Sequence, residues 1–246
     1  MKYSDHTRNT TESLKKVAHG TRLQEAAKMI VIEESQNILD FGCGDGHFFY
    51  HLEQYTSKER LFGYDPSLLS ELEFEGATTY DDVEELRKNH KEFFDVVYCM
   101  EVCEHLNDVA LYELFAHLRY LSKDNAVIVF GLPIETGFSG FFKNIYRTLK
   151  GNRQGATFSL AFQSLLSIAT DRVSSDTGWI GSHIGFDIKS FTKRLDYGGF
   201  VEVDAEYLPW PKLGRYFNNE KYYICKRNER KFDGSDATKS VNSDVA

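Results

Sequence analysis

Residues 37–55 read NILDFGCGDGHFFYHLEQY, an apolar run that stops at three closely spaced glycines and restarts as a helical pattern. This is the signature of a strand, a tight turn and a helix. The same texture recurs downstream. LFGYD (61–65), ATTY (77–80), FDVVYCM (94–100) and AVIVFGL (126–132) read as strands, separated by helical stretches, and a further helical pattern runs from Leu14 to Ile30. Strands alternating with helices imply right-handed crossovers and a parallel sheet covered on both faces, the doubly wound α/β class. Between Pro133 and Gly185 the alternation lapses into helical spacing without a convincing strand, so an insertion is expected there. It resumes with Asp187 as an N-cap, a helix IKSFTKRLDYG, the strand FVEVDAEYL and the strand KYYICKR. Two late strands with no helix between them pair antiparallel.

Around this frame the composition sets bounds. The 246 residues carry 29 Lys and Arg against 37 Asp and Glu, a net charge of −8, with 41% hydrophobic and 14% aromatic content. That composition excludes global disorder and gives no general electrostatic reason to hold a nucleic acid backbone, so no nucleic acid partner is expected. No apolar run approaches the ~20 residues that span a bilayer, and the opening MKYSDHTRNTTESLKK lacks the apolar centre of a secretory signal, so a cytoplasmic protein is expected. Cys43, Cys99, Cys103 and Cys225 show no spacing of a disulfide scaffold and are read as reduced thiols. Cys99, Cys103 and His105 have the residue types of metal ligands, but thiols along a buried strand are usually packing groups, and no metal is expected.

The glycine turn Asp40-Phe41-Gly42-Cys43-Gly44-Asp45-Gly46 lies at the carboxyl edge of the sheet, where such folds bind ligands. A dinucleotide fingerprint would place Gly or Ala at the position of His47, so a pyrophosphate-binding dehydrogenase is disfavoured. Nineteen residues past Gly46 stands Asp65, at the end of the second strand, where a carboxylate can accept both hydroxyls of a ribose. A nucleoside without a pyrophosphate is the ligand this placement favours.

ILDFGCGDGHF (38–48), LFGYDPS (61–67), FDVVYCMEVCEHL (94–106) and LSKDNAVIVFGLP (121–133) together resemble the successive motifs of class I S-adenosylmethionine-dependent methyltransferases, over roughly residues 14–133 and again over 183–227. The resemblance implies a Rossmann-like seven-stranded sheet with a reversed last strand, and S-adenosylmethionine as cofactor. It places the Gly42, Gly44 and Gly46 backbone along the methionine part, Asp40 near its ammonium, Asp65 on the ribose, Pro66 and Ser67 beside the adenine, and Asp82 near the adenine amino group. Glu101 belongs to the E-V-x-E-H-L stretch that orients the cofactor loop.

Methyl transfer to a hydroxyl is helped by a general base, and a histidine suits neutral pH. His105 after strand four, Glu135 after strand five and His183 at the far end of the insertion are the candidates. In the insertion, Phe138, Phe141, Phe142, Ile145 and Leu149 recur at helical spacing with Lys143, Arg147 and Lys150 between them, and residues 134–182 carry a local charge of +2. A lid over the acceptor is expected, with peripheral membrane contact through 137–151 as the second reading. The organisation expected is 1–133 for the N-terminal helix and cofactor half, 134–182 for the acceptor lid, 183–228 for the rest of the domain and 229–246 as a disordered tail. The function expected is O-methylation of a small molecule or a glycan- or lipid-linked intermediate. The alternatives are N- or C-methylation, or a non-catalytic cofactor-binding sensor or partner protein.

Overall fold

The computed structural model describes residues 22–67, 74–149, 157–166, 168, 172–208, 210–214 and 218–228. The proposed tail 229–246, residues 14–21 of the first helical pattern, Lys150 and Arg153 lie outside them. The strands are β1 (Ile38–Phe41), β2 (Leu61–Tyr64), β3 (Thr78–Tyr80), β4 (Phe94–Met100), β5 (Ser122–Pro133), β6 (Phe200–Leu208) and β7 (Glu220–Arg227). They form one sheet in the order β3-β2-β1-β4-β5-β7-β6. β1 pairs parallel with β2 and β4, β2 with β3, and β4 with β5, whereas β6 and β7 pair antiparallel. The doubly wound fold, its reversed last strand and the helical insertion after the fifth strand are therefore as expected.

The chain divides into two compact units, residues 1–100 with 117–131, and residues 101–116 with 132–246. In the first unit β1, β2 and β4 are buried almost end to end, whereas the edge strand β3 is not. Ile38, Leu39, Phe94, Val97, Tyr98, Ile128, Val129 and Phe130 are each fully buried, which is why they read as continuous apolar runs rather than alternating ones. Each such side chain contributes about 1.5–3 kcal/mol of burial. The helix after the glycine turn is shorter than its sequence suggests: α1 (Phe49–Leu52) is one turn, without a side-chain cap. α2 (Val83–Asn89) starts at Asp82, whose carboxylate accepts from Glu84 N.

The second unit holds the start of α3 (Asp108–Leu121), then α4 (Gly137–Leu149), α5 (Phe158–Leu165) and α6 (Ile188–Tyr197), with the β6/β7 pair. Asp187 caps α6 as expected, accepting from Lys189 N and Ser190 N. Phe191 packs against Phe115 and Tyr223, and Phe115 against Phe200, to make the core of this unit.

α4 buries a different face from the one its apolar spacing suggests. Its buried residues are Ser139, Gly140 and Asn144, while Phe142 and Leu149 are 65% and 73% exposed. The helix thus turns its polar and small side inward and Phe138, Phe142, Tyr146 and Leu149 toward solvent. The cause is Glu135, buried just before the helix, which draws the Lys143 and Arg147 side chains onto itself. Gly140 permits the approach, since a Cβ there would sit 2.0 Å from the Glu135 carbonyl oxygen. Lys143 and Arg147 are therefore spent inside the unit.

Candidate active site

In the first unit the turn after β1 is tied back to β2, with Gly42 N and Cys43 N both donating to Tyr64 O. Gly42, Gly44 and Gly46 all have positive φ, at 94°, 52° and 76°. Side chains at these three positions would be strained, which explains the glycine spacing. Asp65 reaches across to the turn: its Oδ2 accepts from Gly44 N at 3.0 Å, and its Oδ1 accepts from Ser67 N and Ser67 Oγ at 2.8 and 2.6 Å. One lone pair of Oδ2 remains for a ligand hydroxyl. Asp40 is 3% exposed, and its carboxyl makes no ion pair or hydrogen bond among the described residues. Burial, with Asp65 and Asp45 as like charges, pushes its pKa up to about 8. Pro66, Ser67 and Asp82 are exposed beyond the end of the strands, with Asp82 engaged as the α2 cap.

In the second unit His105 and His183 come together, 78 residues apart in the chain, with ring centroids 4.5 Å apart at an edge-to-face angle of 74°. His105 Nδ1 lies 2.8 Å from Ile180 O. A carbonyl only accepts, so Nδ1 carries the hydrogen and the lone pair of the neutral ring lies on Nε2. Trp179 stacks on the same ring at 4.5 Å and 11°, fixing its plane. Burial lowers the pKa of His105. It lowers His183 to about 4, with the His105 charge adding to the effect and Glu135 and Glu101 opposing it. Both rings are therefore neutral at pH 7.

Glu135 sits differently from its expected role as a proton acceptor. Its carboxylate lies 2.6 Å from Arg147 Nη1 and 3.2 Å from Lys143 Nζ. Although burial alone would raise it, the two cations hold its pKa at about 2. Paired with two cations, this carboxylate anchors α4 and is a weak proton acceptor.

Three features went unread in the sequence. The backbone of Glu101, just after β4, has φ at 55°, a left-handed conformation that costs a non-glycine residue about 1 kcal/mol or more and tends to mark functional sites. Glu104 is fully buried with neither carboxylate oxygen hydrogen-bonded among the described residues. Arg172 ties the segment together by donating from Nη2 to Glu104 O and Ser182 O at 2.5 and 2.6 Å. Glu104 had a visible signal, an acid inside the otherwise apolar VCEHL, whereas Arg172 had none. All four cysteines are buried thiols.

A family model for the methyltransferase domain matches residues 12–150, more than half of the sequence. The chain belongs to the methyltransferase-domain family. Its similarity to the tRNA U34 carboxymethyltransferase of Helicobacter pylori (strain P12) is 29% identity over 79 residues, 28% of this chain, and spans only 30% of that relative's length. Among solved structures, this methyltransferase-family chain resembles the 1,6-didemethyltoxoflavin-N1-methyltransferase of Burkholderia thailandensis, which holds 1,6-didemethyltoxoflavin and S-adenosylhomocysteine. The TM-score is 0.55 at 14% identity, covering 92% of this chain and 85% of that one. It also resembles an S-adenosylmethionine-dependent methyltransferase of Archaeoglobus fulgidus, with a TM-score of 0.54 at 16% identity, covering 92% and 98%. At these identities the likeness establishes the fold. Among the described residues no helix is long and apolar enough to cross a membrane.

Proposed function

We propose that this chain is an S-adenosylmethionine-dependent methyltransferase that methylates a hydroxyl of a small molecule or of a glycan- or lipid-linked intermediate. The cofactor's residues fit it on one observation above all: Asp40 is a buried acid with no cation beside it, and the cofactor's methionine end brings an ammonium. Gly42, Gly44 and Gly46 would line the methionine part, Asp65 would take the ribose hydroxyls, and Pro66, Ser67, Asp82 and Glu101 would complete the cofactor contacts. When bound, the cofactor supplies an activated methyl carbon that an aligned nucleophile displaces from sulfur.

The His105–His183 pair carries the O-methylation reading. Two neutral imidazoles, one with its tautomer fixed by Ile180 O, can accept a hydroxyl proton at pH 7 without first losing one of their own. The acceptor's hydroxyl proton would pass to imidazole as its oxygen takes the methyl carbon, and the cofactor held by the residues above would supply that carbon and keep the leaving electron pair on sulfur. Glu135 holds α4 in place through Lys143 and Arg147. A hydroxyl of an apolar acceptor also suits the outward aromatic face of α4, through which we propose lid or peripheral membrane contact. An N-methyltransferase is the second reading, since the Burkholderia thailandensis neighbour is one by name.

The test is calorimetry with S-adenosylmethionine and its demethylated product, followed by turnover assays over hydroxyl, amine and RNA acceptors. Cofactor binding with release of the demethylated product from a hydroxyl acceptor supports the reading. Binding without turnover on any acceptor supports a sensor or partner role instead.

A further inference from the structure

We propose that Glu104, His105 and His183 form a binding site for a divalent transition-metal cation. Each offers one donor atom, and these atoms lie within 4.8 Å of one another. Ligands held at the usual ~2.0–2.2 Å from one ion stand roughly 3–4 Å apart, so small side-chain rotations close the set. Sequence spacing presents His105 and His183 only as candidate bases; the acid that completes the set is recognised by its surroundings in the fold.

Those surroundings are the main observation. Glu104 is 0% exposed, and neither Oε1 nor Oε2 has a hydrogen-bond partner among the described residues. A buried carboxylate in that state is strongly disfavoured unless it is protonated or held by a cation. The nearby Arg172 guanidinium offsets part of the Glu104 charge, but its Nη2 donates to the main-chain oxygens of Glu104 and Ser182, so it leaves both carboxylate oxygens without a hydrogen bond among the described residues. The carboxylates of Glu101 and Glu220 act on Glu104 as further negative charge, which a divalent cation would relieve.

The histidines are presented as ligands are. His105 donates from Nδ1 to Ile180 O and is clamped in plane by Trp179, so its Nε2 lone pair has a fixed direction. An outer hydrogen bond of this kind sets the tautomer of metal-binding histidines. His183 makes no side-chain hydrogen bond among the described residues, and its ring edge meets His105.

Two imidazoles and one carboxylate favour ions such as Zn²⁺, Mn²⁺, Fe²⁺ or Co²⁺ over Ca²⁺, which takes oxygen ligands. Three protein ligands leave positions open for an oxygen, either water or, on the methyl-transfer reading above, the acceptor hydroxyl. A hydroxyl bound there loses its proton to solvent more readily, and the imidazoles then act as ligands rather than as bases.

The full chain, stripped by chelator and dialysed, is titrated with Co²⁺ while visible absorption is followed, and with Mn²⁺ by electron paramagnetic resonance. We expect one ion per chain, with Glu104→Gln and His183→Ala each weakening uptake at least tenfold. Binding of S-adenosylhomocysteine by each variant reports that it is folded, and His105→Gln replaces a variant that fails this check. Absence of uptake by the folded wild type, or equal uptake by folded variants, overturns the proposal. Metal uptake without hydroxyl methylation would sink the functional reading and leave the site standing, and methylation without uptake would do the reverse.

Discussion

The Glu135 carboxylate and the Arg147 guanidinium meet at 2.6 Å across the first three turns of α4, joined by Lys143 at 3.2 Å. This contact inverts the helix, and it is where stability is most exposed to acid. Glu135 is lowered from an ordinary 4.5 to about 2, so its stabilisation is complete above pH ~4.5 and is lost as the pH falls toward 2. Arg147→Met should lower the melting temperature at pH 7 and flatten the loss of stability below pH 5, because the native carboxyl then titrates nearer its ordinary value. Removing a partner from a buried pair typically costs about 3–5 kcal/mol; less is expected here, because Lys143 remains. Thermal melts from pH 3 to 8 check this.

Asp40 has the opposite sign. Its native pKa near 8 exceeds the ordinary 3.8, so the ligand-free native state holds a proton that the unfolded chain has released. Its contribution to stability therefore declines as the pH rises from about 4 to about 8. Asp40→Asn should flatten that decline in denaturant titrations while weakening cofactor binding. Wild-type binding should release up to one proton per chain near pH 7, read as a dependence of the binding enthalpy on the buffer.

Asp65 is the residue on which ribose recognition rests. Asp65→Ala should weaken cofactor binding by roughly tenfold or more, the equivalent of about 1.5–3 kcal/mol for a hydrogen bond to a charged group. Because Asp65 also holds Gly44 N and Ser67, Ser67→Ala is the control for the turn alone and should cost less. Equal losses in calorimetry would transfer the effect from the ribose to the turn.

His183→Ala should slow single-turnover methylation by about 10²–10⁴-fold while leaving cofactor affinity within a factor of a few. With His183 at about 4, the acid limb of the wild-type profile should lie well below the 6.5 of an ordinary histidine. A limb centred at 6.5, or a near-normal variant rate, would remove His183 from the chemistry.

The outward face of α4 is best tested by substitution, since deleting 137–151 would strip Glu135 of both its cations. Phe142→Ser and Leu149→Ser should alter stability by no more than about 0.5 kcal/mol, because both side chains are exposed. If this face meets lipid, the pair should lower co-sedimentation with vesicles of neutral lipid. Wild-type protein that fails to sediment with any vesicle removes the membrane reading and leaves the lid.

Local pattern was enough to determine the parallel sheet, its order of strands and helices, and the glycine turn with Asp65. A strand buried on both faces must be apolar throughout, and a turn with three positive φ angles selects glycine at Gly42, Gly44 and Gly46. The antiparallel end was equally legible, because β6 and β7 have no helix between them. Tertiary structure alone decided what the charged groups do. Sequence spacing does not say that Lys143 and Arg147 turn inward to Glu135, nor that His183 arrives beside His105 from 78 residues away. Nor does it say that Glu104 is buried with both oxygens unmatched. Burial and charge pairing depend on which segments meet, and those meetings set whether a carboxyl is an anchor, a neutral acid or a ligand.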